Sequence, residues 1–342
     1  MEKTSNQKNQ ELNNDFKKTN HIFIKNPNFK FKCDITKTND CMFGVNDIFE
    51  VFTSYKDKKC YIISSNYDNY NLDIYSLDDN KKINSLSADY SRIRCLKYFI
   101  NDKTHEEYLI SSHKNNTIII WDITENYNII YKIQTNSEYY IYSCLLVFPN
   151  NTIDNYLIAG CYLYTFNKFR YDKLYKQHFT YNYYLLSWLN NKDKEYYIIQ
   201  FSSSQILICN LIKDEVYANL NFAKENHCGF IYNQNNTDFL CAVTKTGIIY
   251  TYNLENKEYV NIMYLKSELH YITEWNDRYI IMADYMRKSI KIMDFKSFKL
   301  ISNIIGQHTE GIKCIKKIFH PVYGELLLTA GDDNTIKLWD IK

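Results

Sequence analysis

An all-β chain assembled from seven repeats is what this sequence predicts, and three observations lead to it. The first is composition: aromatics make up 16% of the 342 residues, with 33 Tyr and 19 Phe, while Pro numbers 3 and Gly 8. Tyr, Phe and Ile suit the pleated, half-buried surface of a strand. The second is patterning. From about residue 21 onward, apolar runs of strand length are separated by Asn, Asp, Lys and Ser clusters, and no convincing helical period is sustained. The third is self-similarity at a fixed period, the mark of a repeat architecture.

In chain order, residues 1–20 are polar and aperiodic and read as a disordered tail, leaving 21–342 as one domain. Within it, LLLTAGDDNTIKLWD, from Leu326, has a sister in YLISSHKNNTIIIWD, from Tyr108. In both, an apolar strand ends in small residues, a polar turn follows, and Thr leads into an apolar strand ending Trp-Asp. Fainter copies fill the rest: YIISSNYDNYNLDIYS reaching Tyr75, YLIAGCYLYTFN reaching Phe166, YIIQFSSSQILICN reaching Cys209, FLCAVTKTGIIYTYN reaching Tyr252 and YIIMADYMRKSIKIMD reaching Met293. With Trp121 and Trp339, these seven positions recur every 41 to 46 residues. A second apolar strand keeps step upstream, in RIRCLKYF from Arg92, IYSCLLVF from Ile141, NYYLLSWL from Asn182 and GIKCIKKIF from Gly311. Trp188 and Trp275 fall at the ends of first strands and are expected to anchor the core.

A formal charge of +2 exerts no general pull on nucleic acid or acidic membranes. Ten cysteines stand singly, with no C-x-x-C pair, as expected of reduced thiols used as small core residues. No run approaches the roughly 18 apolar residues of a membrane helix, and MEKTSNQKNQELNNDFKKTN lacks an apolar signal core. The expectation is a soluble protein of the cytoplasm or nucleus, in which the N-x-T triplet at Asn115 is incidental. No G-x-x-x-x-G-K-[ST] loop, G-x-S-x-G elbow or H-E-x-x-H pair occurs. His227 beside Cys228 hints at a metal site but lacks a second ligand pair nearby. Neither enzyme chemistry nor a cofactor, a metal or a small-molecule substrate is expected.

The period of about 44, the Trp-Asp endings and GQHTEG at Gly306–Gly311 resemble the WD-repeat (G-protein-β-like) propellers. The resemblance spans residues 21–342. It implies a single seven-bladed β-propeller of four-stranded blades, closed by an N-terminal strand joining the last blade. It also implies, in the seventh copy, a buried polar chain of Trp339, Thr329, His308 and Asp333, in which each member satisfies the next. In the second copy Ser111 matches Thr329, Asn115 matches Asp333, and Asp89 stands in the place of His308. A Thr-His-Asp set has the form of a catalytic triad. Its spacing here is that of the structural chain, and no Gly-rich oxyanion segment lies near Thr329.

The same resemblance implies a non-catalytic scaffold that binds a peptide or protein on the face where the loops entering the first strands and leaving the second strands gather. The corresponding positions are Arg92, Arg94 and Lys114 in copy two, Tyr142, Asn182 and Tyr184 in copies three and four, Lys245 in copy five, and Gly311, Lys313 and Asp332 in copy seven. Basic and aromatic residues around one mouth suit an acidic or phosphorylated segment. A narrower alternative is a substrate receptor: Leu327 to Lys342 resembles the box by which some WD-repeat receptors dock on the adaptor of a cullin-RING ubiquitin ligase, with Lys342 where Arg is favoured. A phosphoinositide-binding propeller calls for F-R-R-G, and FRYDK from Phe169 lacks its second Arg and its Gly. RNA binding by basic and aromatic residues has only the +2 balance behind it.

In this family each blade receives its outer strand from the following repeat. The last copy, TAGDDNTIKLWDIK, has no successor, so HIFIKNPNFKFKCDI, residues 21–35, is expected to supply that strand.

Overall fold

The computed structural model describes residues 29–36, 49–65, 70–79, 81–87, 91–124, 126–135, 141–149, 155–167, 170–174, 184–221, 226–333 and 335–341; for 29–36, 166–167, 170–174, 226–227 and 340–341 it describes the backbone. The expected tail, residues 1–20, lies outside them, as do Asp89, Asn182 and the first part of the expected closing segment.

After β1 (Phe29–Thr36), the strands fall into consecutive groups of four. Blade one holds β2 (Phe49–Thr53), β3 (Cys60–Ser65), β4 (Leu72–Ser76) and β5 (Lys81–Leu86). Blade two holds β6 (Ile93–Ile100), β7 (Glu107–His113), β8 (Thr117–Asp122) and β9 (Asn128–Gln134), and blade three β10 (Cys144–Val147), β11 (Asn155–Ala159), β12 (Tyr162–Asn167) and β13 (Arg170–Leu174). Blade four comprises β14 (Tyr184–Leu189), β15 (Tyr196–Phe201), β16 (Gln205–Asn210) and β17 (Val216–Asn221). Blade five comprises β18 (Asn226–Gln234), β19 (Thr237–Thr244), β20 (Ile248–Asn253) and β21 (Glu258–Tyr264). Blade six follows with β22 (Leu269–Trp275), β23 (Tyr279–Asp284), β24 (Ser289–Asp294) and β25 (Lys299–Ile305). Blade seven has β26 (Ile312–His320), β27 (Gly324–Gly331) and β28 (Ile336–Ile341), and its fourth place is taken by β1, antiparallel to β28. First strands of successive blades are neighbours, from β2 through β6, β10, β14, β18 and β22 to β26, and β26 returns to β2. The result is a closed seven-bladed ring.

Burial follows the place of each strand in its blade. β3 and β7 are buried along their whole length, because middle strands lie between two neighbouring blades. Strands covered on both faces read as continuous apolar runs, which is why the sequence repeats were visible there. The fourth strands β5 and β21 are mostly exposed, and their sequences carry little signal. The core is spread between blades: Phe52, Ile63 and Leu72 of blade one pack with Leu96, Leu109 and Trp121 of blade two. Trp188 and Trp275 are 3% and 1% exposed, as their position suggested, and Trp188 Nε1 also donates to Asp238 Oδ2 of blade five at 2.9 Å.

Four of the five faint copies keep the register slip of the clear ones; in blade three β12 and β13 pair without a slip. Where third and fourth strands pair, the register slips between Ile74 and Tyr75, Ile120 and Trp121, Ile208 and Cys209, Thr251 and Tyr252, and Ile292 and Met293. Each slip falls at the repeat position that carries Trp in blades two and seven. β28 and β1 slip at the same point, since Phe31 faces Trp339 while Cys33 faces Leu338. A bulge adds local twist to its strand. β1 therefore behaves as a true fourth strand.

Candidate functional site

In blade seven the sequence brings four distant side chains into one buried line. Trp339 Nε1 donates to Thr329 Oγ1 at 2.8 Å, and Thr329 Oγ1 lies 2.8 Å from His308 Nε2. His308 Nδ1 reaches the Asp333 oxygens at 3.0 and 2.9 Å. A carboxylate only accepts, so Nδ1 carries the proton and Nε2 accepts from Thr329. Asp333 also accepts from Thr309 N, Thr335 N and Thr335 Oγ1. Desolvation opposes its ionisation, but these donors and His308 outweigh it and hold the carboxyl at about 2, against an ordinary 3.8. Thr329 is 0% exposed, which leaves its hydroxyl no approach for a substrate.

Blade two departs from the expectation. Trp121 Nε1 donates to Ser111 Oγ at 3.1 Å as predicted, but the ring beyond it is His113, with Nε2 3.0 Å from Ser111 Oγ and Nδ1 3.2 Å from the Ser91 carbonyl. Asp89, the expected counterpart of His308, lies outside the described residues. Asn115 keeps part of the Asp333 role by accepting from Thr117 N. Sequence reading missed His113; the signal that could have found it is its place two beyond Ser111 in YLISSH, since alternate strand residues share a face.

The register aligns the remaining blades. Two residues on from the strand partners of Tyr75, Phe166, Cys209, Tyr252 and Met293, the Thr329 position is held by Ser64, Leu157, Gln200, Ala242 and Met282. In blades three and six donor and acceptor have left together, Phe166 with Leu157 and Met293 with Met282, and replacing both partners by apolar groups is nearly neutral where losing one is not. Blade four keeps a weak pair, Gln200 Nε2 to Cys209 Sγ at 3.7 Å.

The predicted binding residues mostly gather at the end of the blades where first strands begin and second strands end. Lys114 N donates to Arg92 O at 2.7 Å, and the Arg94 guanidinium lies 5.6 Å from the Tyr142 ring of the next blade. Lys313 pairs with Asp332, which also accepts from Tyr285 Oη of blade six at 2.8 Å. Lys245 lies 3.5 Å from Glu268 of blade six, and Glu268 meets His270 Nε2 at 3.1 Å. Desolvation tends to raise the Glu268 carboxyl, but the His270 hydrogen bond and the Lys245 charge outweigh it and leave it low. Burial in turn pushes the His270 ring down, keeping it neutral near pH 7.

Two predicted residues do not belong to an exposed rim. Gly311 is buried, and a Cβ there would sit 2.3 Å from the Tyr285 ring. Its missing side chain makes room for Tyr285 rather than meeting a partner. Tyr184 is half-buried on the channel wall, 3.5 Å from Tyr271 Oη, and lines a cavity of about 390 Å³ bounded by first strands of blades four to seven. Sequence reading missed Tyr285, Glu268, His270, Lys266 and Arg287, whose proximity depends on contacts between blades.

Between blades five and six, Lys245, Lys266, Arg287, Glu268 and Asp284 bound an open groove of about 450 Å³, with Met286 67% exposed beside it. Asp284 is fully buried and engaged by the buried Lys291, so its charge is spent inside the blade. The cations therefore dominate the groove. Cys228 is buried with its thiol toward His270 O, and no group of three metal-ligating side chains occurs among the described residues. The His227 side chain lies outside them.

Comparisons with known proteins agree with this architecture. The family model for the WD domain, G-beta repeat, matches residues 299–340. A chain of the crystal structure of BBS1N in complex with ARL6DN, soaked with lead, superposes with a TM-score of 0.71 at 10% identity, covering 92% of this chain and 97% of that one. The same complex soaked with mercury gives 0.69 at 10% identity, with 93% and 98% covered. Identity that low speaks for shape alone. No curated protein matches the sequence.

Proposed function

We propose, from the premise that this chain is a WD-repeat propeller, that it is a non-catalytic scaffold of the cytoplasm or nucleus binding a protein partner on the face where its second strands end. Propellers of this family are typically interaction scaffolds, and the similar BBS1N structures were crystallised with a protein, ARL6DN. The observation that carries the reading is the cation-rich groove between blades five and six, continuous with side chains held across blade boundaries. Rigid presentation of loop residues favours recognition. An acidic or phosphorylated segment of the partner would meet Lys245, Lys266 and Arg287 here, with Arg92, Arg94 and Lys114 across the channel mouth. Charge reversal at Arg92 and Arg94, or at Lys266 and Arg287, should abolish recovery of the partner while leaving the melting transition in place. Recovery that persists in both variants would sink this assignment of the face.

A further inference from the structure

The turns between first and second strands, at the opposite end of the blades, offer an internal control. In blade one the turn is Ser54–Lys59, SYKDKK, in blade two Asn101–Glu106, NDKTHE, and in blade four Asn190–Glu195, NNKDKE. All three share one hydrogen-bonding scheme: Ser54 N to Lys59 O, Asn101 N to Glu106 O and Asn190 N to Glu195 O. Blades five and six turn through Asn235-Asn236 and Asn276-Asp277. Blade seven alone among the described turns is apolar, HPVYG at His320–Gly324. Phe319, Val322 and Tyr323 are 62%, 77% and 60% exposed. Polar residues make this turn in five blades, so the fold has no need of Val322 or Tyr323.

The apolar turn is also held stiff. His320, 3% exposed, accepts Val322 N at 3.1 Å and Tyr323 N at 3.4 Å on Nδ1, and its Nε2 donates to Asp78 Oδ1 of blade one at 2.9 Å. Thr53 Oγ1, also of blade one, donates to Phe319 O. A convex turn fixed in advance loses little conformational freedom on binding, and aromatic anchors of this kind dominate interfaces. Beside it, the blade-one turn carries Lys56, Lys58 and Lys59, and Tyr55 stacks on His105 of blade two at 4.0 Å.

We infer that this end of blades seven and one is a second docking surface, whose occupant is a folded protein offering an apolar pocket bordered by carboxylates. The ridge is convex and needs a concave apolar host, and the open groove of blades five and six, lined mostly by charged and polar side chains, does not offer one to a second copy. Asp57 and Asp79 stand among the lysines, so the patch is only weakly cationic and gives a flat anionic lipid surface little net attraction, whereas discrete carboxylates at a pocket rim can each meet a lysine. The surface lies at the other end of the ring from the groove of blades five and six, so the two docking readings stand or fall separately.

The probe is benzoylphenylalanine placed at Val322 of the full chain and irradiated in native extract. The expected result is one adduct with a different protein, mapped to an apolar segment flanked by Asp or Glu. That protein, purified, should bind the unmodified chain and lose at least tenfold in affinity with Val322→Asn/Tyr323→Lys, which copies the polar turns. Lys56→Glu/Lys58→Glu should weaken it further at low salt, and Arg94→Glu should leave it unchanged. An adduct with a second copy, sedimentation with phosphatidylserine vesicles, no adduct, or an affinity indifferent to the turn substitutions would each overturn the inference.

Discussion

Blades two and seven each bury an indole N–H at the same register position and satisfy it through a hydroxyl and an imidazole, yet the imidazoles come from different places. His113 stands on β7 opposite Ile93, where blade seven has Gly331 opposite Ile312. His308 arrives instead from the loop before β26 and fills the space above that glycine: a Cβ on Gly331 would lie 2.9 Å from His308 Nδ1. The two solutions exclude one another sterically. What the repeat preserves is a volume and a sequence of donors and acceptors, not a column of residues. The lines also end differently, on the Asp333 carboxylate in blade seven and on the Ser91 carbonyl in blade two.

The largest expected difference between the blades comes from the closing strand. Removing residues 29–36 strips six paired positions from β28 and leaves β9 of blade two untouched. At roughly 0.5–1.5 kcal/mol for each hydrogen bond lost, with about one bond per paired position, a loss of about 3–9 kcal/mol is expected, with aggregation through the bared edge. Amide exchange should accelerate in β28 and not in β8. An unchanged melt would refute the closure.

Next come the histidines. His308→Ala orphans the Thr329 hydroxyl and takes one of four donors from a buried charged carboxylate, whereas His113→Ala takes the acceptor from a serine and the donor from a backbone carbonyl. Chemical denaturation should show a cost of about 2–3 kcal/mol for the first and about 1–2 kcal/mol for the second. Equal costs would mean that the carboxylate end adds nothing.

The smallest effect is a pH dependence that the polar line of blade seven has and that of blade two lacks. The Asp333 carboxyl is depressed in the folded chain, so its contribution is present above its ordinary 3.8 and fades as pH falls toward about 2. Blade two ends its line on a carbonyl and has no such step. Stability measured from pH 5 to pH 2 should fall less in Asp333→Asn than in the unaltered chain; parallel curves would count against the depressed carboxyl.

Most of the fold was legible because middle strands are covered on both faces and are largely apolar, with polar residues only where a buried partner meets them, as in YLISSH and LLLTAG. β1 was legible by counting, since seven copies left one outer place unfilled. The candidate site was less so. Lys245, Lys313 and Asp332 could be placed by repeat position, but Gly311 looks like a loop residue in sequence and is a packing void filled by Tyr285. The cluster of Glu268, His270 and Tyr285 joins blades, and one-dimensional spacing carries no record of which turns touch. His113 was missed because the seventh copy supplies its ring from elsewhere.

Pairing β1 with β28 also sets an order of assembly in time. Synthesis proceeds from the N-terminus, so β1 exists long before its partner and waits while blades one to six complete themselves from adjacent segments. Closing a loop of roughly three hundred residues costs only logarithmically more than closing a short one, but such a non-local contact is slow to form. β28 must enter between β27 and β1, and the ring shuts with that insertion. The blade whose polar line is anchored on a carboxylate is thus also the last to be finished.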